Sequence, residues 1–121
     1  LETRFLINEF CYRIGIPFVY GAVYRYEGQL SVFDALRGPC FRCLYPVIPP
    51  KEAVPDPDTN GLLGTIPGVI GLLQATEVIK VLTGIGEPLV GKLVLYDALT
   101  TNFRTIRLEK NLNCPVCGQK A

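Results

Sequence analysis

The cysteines constrain this chain more than any other feature. Four of them form two C-x-x-C pairs, Cys40–Cys43 in GPCFRCLYP and Cys114–Cys117 in NCPVCG, and the 121 residues include no histidine. A tetrahedral Zn²⁺ takes four soft ligands, and a C-x-x-C on a tight turn brings two sulfurs to one side of the ion. Two such turns complete the sphere from cysteine alone. The pairs lie too far apart for a compact finger or ribbon. The metal is therefore expected to staple the middle of the chain to its end rather than to create the whole fold. Two other uses of the cysteines stay open. A redox pair needs its first cysteine at a helix N-terminus, which the prolines from Pro46 onward disfavour. Disulfides need an oxidising compartment, and the opening LETRFLINEF carries no secretory signal. Cys11 reads as a small hydrophobe on an apolar helical face.

Hydrophobic residues make up 49% of the chain and charged residues 19%, the composition of one globular domain over residues 1–121. The net charge of +1 gives no field that would gather a polyanion. Tyr24, Arg25 and Tyr26, with Phe41 and Arg42, are accordingly read as sheet-edge residues and not as a nucleic-acid surface. The apolar run LLGTIPGVIGLLQA falls short of the roughly 20 residues a membrane span needs, so a buried helix is expected and no membrane partner. Without histidine the chain lacks the side chain best suited to proton transfer near neutral pH. No catalytic residue is assigned.

Periodicity predicts a helix over residues 3–14 that turns Ile7, Phe10, Cys11 and Ile14 inward and stops at Gly15. IPFVYGAVY and YEGQLSVFD read as strands. A long surface loop follows, broken by Pro46, Pro49, Pro50, Pro55 and Pro57. The longest helix, residues 66–83, has Thr65 as cap, Pro67 in its first turn and Gly84 at its end. It is apolar nearly all round and is expected to pack between other elements, with the glycines at 61, 64, 68 and 71 permitting close approach. KLVLYDAL and FRTIRLE complete the strands. GEPLVGKL is nearly a phosphate loop, but Leu93 replaces the hydroxyl and Pro88 removes an amide, so it reads as a helix-to-strand turn.

Taken in order, TRFLIN, PFVYGAVYRYEGQLSVF, GPCFRCLYP, GLLGTIPGVIGLLQATEVIKVLTGIGEPLVGKLVLYDALTTNFRTIRL and NCPVCG resemble the MoeB/ThiF/HesA family over essentially the whole chain. These are adenylyltransferases related to the ubiquitin-activating enzymes. The resemblance implies an α/β fold: the C-terminal part of a Rossmann-like adenylation domain, with a mixed sheet, packed helices and a four-cysteine zinc site. It implies that Cys40, Cys43, Cys114 and Cys117 hold a structural Zn²⁺, and that the intact protein binds ATP and Mg²⁺. The implied partner is a ubiquitin-like sulfur carrier whose C-terminal glycine is adenylated, in a cytoplasmic homodimer. The glycine-rich nucleotide loop would lie upstream of Leu1, so this portion alone is expected to be inactive. Arg4 and Asn8 match helix positions that border the ATP site. Many members carry a cysteine in the loop before the long helix, where this chain has Pro57. That departure leaves a non-catalytic module that binds a ubiquitin-like protein as the alternative.

Overall fold

The structure, a computed structural model, describes residues 2–45 and 63–118. Helix α1 (Glu2–Ile14) ends where Gly15 takes a left-handed φ of 74° and the Ile16 N–H returns to Cys11 O at 3.0 Å. Strands β1 (Phe18–Tyr24) and β2 (Glu27–Phe33) form a hairpin, closed by Arg25 with a φ of 51°. A single helical turn, α2 (Phe41–Leu44), starts directly after Cys40 and carries Cys43. Helix α3 (Ile66–Thr83), β3 (Lys92–Asp97) and β4 (Asn102–Arg107) follow.

The strands make one sheet in the order β1-β2-β3-β4, every neighbouring pair antiparallel. This corrects the mixed sheet that the resemblance implied. Among the described residues outside the named strands, parallel pairing is confined to the isolated bridge Val32–Val90. The α/β class stands, with α1 and α2 on one face of the sheet and α3 on the other.

Alternation along β1 and β2 builds the first face. Phe18, Tyr20 and Phe33 point to one side and pack with Phe5 of α1, Phe41 of α2 and Leu93 of β3. On the other side α3 presses so closely that side chains do not fit. A Cβ at Gly28 would lie 2.6 Å from Ile70 Cδ1, and one at Gly21 would collide with Gln74. Glycine at these two positions is what lets helix and sheet meet.

Both helices depart from the expected burial. In α1 the buried residues are Phe5 and Asn8, while Ile7, Phe10 and Ile14 are exposed and Cys11 is only half-buried. Phe5 is drawn to the aromatic cluster, and that contact sets the helix's rotation. In α3 only Ile66, Ile70 and Glu77 are buried, and Leu72, Val78, Ile79 and Leu82 face outward. By length and apolar composition α3 could cross a membrane. It lies instead across β1 and β2, covered on one side. Cβ atoms at Gly64, Gly68 and Gly71 would meet nothing within 4 Å, so these glycines serve no packing in the described residues. Gly61 lies outside them. Thr65 makes no side-chain cap, its own backbone already being helical, whereas Pro67 and Gly84 mark the two ends as expected.

The GEPLVGKL stretch is a turn, held by a buried carboxylate. Glu77 Oε1 accepts the Leu89 N–H at 2.8 Å while its Oε2 pairs with Lys80, whose ammonium also reaches Glu87 O at 3.2 Å. From below, Ser31 Oγ donates to Lys92 O at 2.6 Å.

Candidate metal centre

The two cysteine pairs arrive from distant parts of the chain. The first knuckle follows a turn in which Asp34 binds the Leu36 N–H and the Arg37 guanidinium, and it closes with Cys43 N–H to Cys40 O at 3.0 Å. In the second knuckle Gly118 N–H returns to Cys114 O at 3.0 Å. Position 118 must be glycine, because a Cβ there would lie 2.5 Å from the Cys114 oxygen and 2.7 Å from its nitrogen.

All four Sγ atoms lie within 4.8 Å of one another. Cys40 and Cys114 are 3.5 Å apart, Cys43 and Cys117 3.4 Å, and Cys40 and Cys43 3.9 Å. A disulfide requires about 2.05 Å, and all five cysteines are free. Four sulfurs converging from 74 residues apart can hold a metal ion. Cys40, Cys114 and Cys117 are buried and Cys43 half-buried, with Ala35 and Val116 packed against them.

Burial governs the thiols. It pushes Cys40 up, opposed by the Asn8 side chain. It also pushes Cys117 up, helped by neighbouring Cys40 and Cys43. On Cys114 burial acts the same way, but backbone N–H groups of Cys117 and Val116 outweigh it and hold this thiol below its usual range. Burying Cys40 and Cys117 without a cation disfavours their deprotonation, which a cation would reverse. That donor set fits a soft, thiolate-binding metal.

One residue between the ligands ties the cluster to the core. Phe41 is fully buried, with its ring 5.2 Å from those of Phe5 and Tyr20, 5.6 Å from Phe33 and 5.1 Å from Tyr45. Phe41 is thus a core residue and not the sheet-edge residue expected from the Phe-Arg pair. The Arg42 guanidinium lies 5.0 Å above the Phe5 ring. The helical turn that the prolines argued against does follow Cys40, but it lasts only four residues.

The other named residues sit close by. Asn8 is 2% exposed, and its Oδ1 accepts the Phe41 N–H at 2.9 Å. Arg4, one turn earlier, lies 5.8 Å from the Tyr20 ring centre. Pro57 falls outside the described residues. Sequence reasoning missed the link from Asn8 to the knuckle. The available signal was a polar residue three places after Phe5, on the face that buries it.

The fold is one antiparallel sheet flanked by helices and clasped by a four-cysteine cluster. The ThiF family model matches residues 1–116, and the chain belongs to that family. It is 46% identical to the sulfur carrier protein adenylyltransferase of Thermus thermophilus, over 98% of this chain and 45% of that protein. It is 47% identical to the SAMP-activating enzyme E1 of Haloferax volcanii, over 97% of this chain and 43% of that protein. The chain thus spans less than half the length of these relatives. A structure of E. coli MccB superposes with a TM-score of 0.78 at 16% identity, over 98% of this chain and 38% of MccB, which is a likeness of fold.

Proposed function

We propose that this chain is the metal-clasped, carrier-positioning portion of an ATP-dependent adenylyltransferase that activates the C-terminal glycine of a ubiquitin-like sulfur carrier protein. The observation that carries the reading is the convergence of four sulfurs on one point, anchored through Phe41, in a ThiF-family chain whose relatives bear activating-enzyme names.

The metal is zinc. A tetrahedron with Zn–S distances of about 2.3 Å sets its sulfurs about 3.8 Å apart, and the separations of 3.4, 3.5 and 3.9 Å lie around that value. Four thiolates leave no open position for water or substrate, so the site is structural. When bound, the ion cross-links the knuckles and neutralises thiolate charge.

In the proposed reaction a carboxylate oxygen of the carrier's terminal glycine bonds to the α-phosphorus of ATP. The bond to pyrophosphate breaks, and pyrophosphate leaves. Magnesium accompanies the nucleotide. Rate acceleration in such a transfer comes from positioning and charge stabilisation. This chain supplies positioning: the sheet and clasp form a fixed wall, and Arg4 and Asn8 on α1 border the nucleotide side. Pro57 provides no thiol, so no thioester forms at that position. The intact protein is read as a cytoplasmic homodimer.

The test is ATP–pyrophosphate exchange by the intact protein with a carrier ending in Gly-Gly. Exchange should require the carrier and vanish when its last glycine is deleted. Exchange without any carrier would overturn the substrate, and carrier binding with no exchange would assign the non-catalytic role instead.

A further inference from the structure

We propose that Asn8 is a positioning residue of the metal clasp, its side-chain amide gripping the first knuckle at both the Phe41 N–H and the Cys40 sulfur. The inference rests on the reading of the four cysteines as a metal site.

The orientation of this amide is fixed by chemistry. Only its oxygen can accept from the Phe41 N–H, at 2.9 Å, so the nitrogen points the other way. That nitrogen is buried and, among the described residues, has no hydrogen-bond partner. Buried amide N–H groups are almost always satisfied, and an exception needs an explanation. Cys40 directly precedes Phe41, so its sulfur belongs to the same knuckle that the amide already holds. A neutral thiol is a weak acceptor, which leaves the amide unmatched. A metal-bound thiolate carries negative charge and accepts strongly. The orphaned donor therefore has a partner once Cys40 is metallated.

The same logic is met differently in the second knuckle. Cys114 draws its N–H donors from the backbone of Val116 and Cys117, within its own turn. Cys40 draws on a side chain of another element, 32 positions earlier in the numbering. Metal binding is thereby coupled to the seating of α1, the helix that also carries Arg4. Ligand-orienting partners of this kind commonly change metal affinity by about 10- to 100-fold.

The experiment uses the intact protein loaded with Co²⁺ or Zn²⁺. Asn8→Asp keeps an oxygen for the Phe41 N–H but sets a second oxygen against the thiolate. It should release Zn²⁺ to a chromophoric chelator at about 10- to 100-fold lower competitor concentration. It should also shift the sulfur-to-Co²⁺ charge-transfer band, which a purely structural role would not move. Affinity and band both equal to wild type would overturn the proposal. Should the variant not fold, wild type loaded with ¹¹³Cd decides. Scalar coupling from ¹¹³Cd to an Asn8 side-chain amide proton is expected, and its absence overturns the inference. A wild type that binds none of these ions would instead overturn the metal reading itself.

Discussion

The two faces of the sheet are closed in opposite ways. On one, Phe5, Phe18, Tyr20, Phe33, Phe41 and Tyr45 interlock, and the four-cysteine cluster locks the outer edge of that packing. On the other, α3 seats Ile66 and Ile70 over β1 and β2 but leaves Leu72 at 74% and Leu82 at 78% exposed. Strand β4 is exposed along its whole length. The first face is made by residues distant in sequence that the two cysteine knuckles bring together. The second rests on one helix that carries its own backbone hydrogen bonds. Stability should therefore concentrate on the clasp side, and substitutions of similar size should have very different effects on the two sides.

Cys114→Ser is the severest test of that contrast. It removes one of four ligands and leaves three sulfurs around a weakened site. Loss of a metal belongs to the small set of changes that exceed about 4 kcal/mol. Metal content should fall and the melting temperature should drop sharply, and chelator treatment of the unmodified protein should reproduce both. A protein that melts identically with and without chelator would show that the cluster contributes no stability.

Phe41→Ala comes next. It keeps every ligand but empties the centre of the aromatic cluster, a change that costs about 3–5 kcal/mol in a packed core. Metal should still bind, but more weakly, because the knuckle is no longer held against Phe5 and Tyr20. Denaturant unfolding with metal titration measures both effects.

These two variants also mark what the sequence revealed. The convergence of the four cysteines was legible because C-x-x-C spacing has few chemical uses and histidine was absent. Gly15, Gly84 and Pro67 marked helix ends because glycine takes a left-handed φ at little cost and proline fixes its own φ, both local effects. The direction each helix faces was not legible. Ile7, Phe10 and Ile14 have the spacing of a buried stripe, yet Phe5 and Asn8 occupy the interior. Their burial is decided by Phe41, far away in sequence, and an asparagine becomes buriable only because a knuckle N–H awaits its oxygen. Likewise α3 is apolar all round, and no local pattern says which side this chain covers.

Alkaline pH probes the clasp side without touching a ligand. Burial, reinforced by Tyr45 and opposed by Arg4, pushes the Tyr20 phenol from 10.0 up to about 12. The folded state thus holds this proton more tightly than the unfolded chain. Its contribution is complete below pH 10 and is lost as pH rises through about 12. A difference of that size corresponds to about 2–3 kcal/mol. Urea unfolding should show stability falling across that window. Tyr20→Phe should flatten the decline, while losing about 1 kcal/mol throughout from its hydrogen bond to Gln29.

The smallest effect is expected on the outer face of α3. Leu72→Lys and Leu82→Lys place charge where the chain itself puts solvent, and Lys is as good a helix former as Leu. Substitutions at such positions stay within about 0.5 kcal/mol. Their unfolding curves in this chain should overlay the parent's, even though the residues replaced are as apolar as Ile70, which faces Gly28. A loss above about 1 kcal/mol would exceed what an exposed helical position can account for. It would mean that this face is covered, and that the asymmetry between the two sides of the sheet belongs to the isolated chain alone.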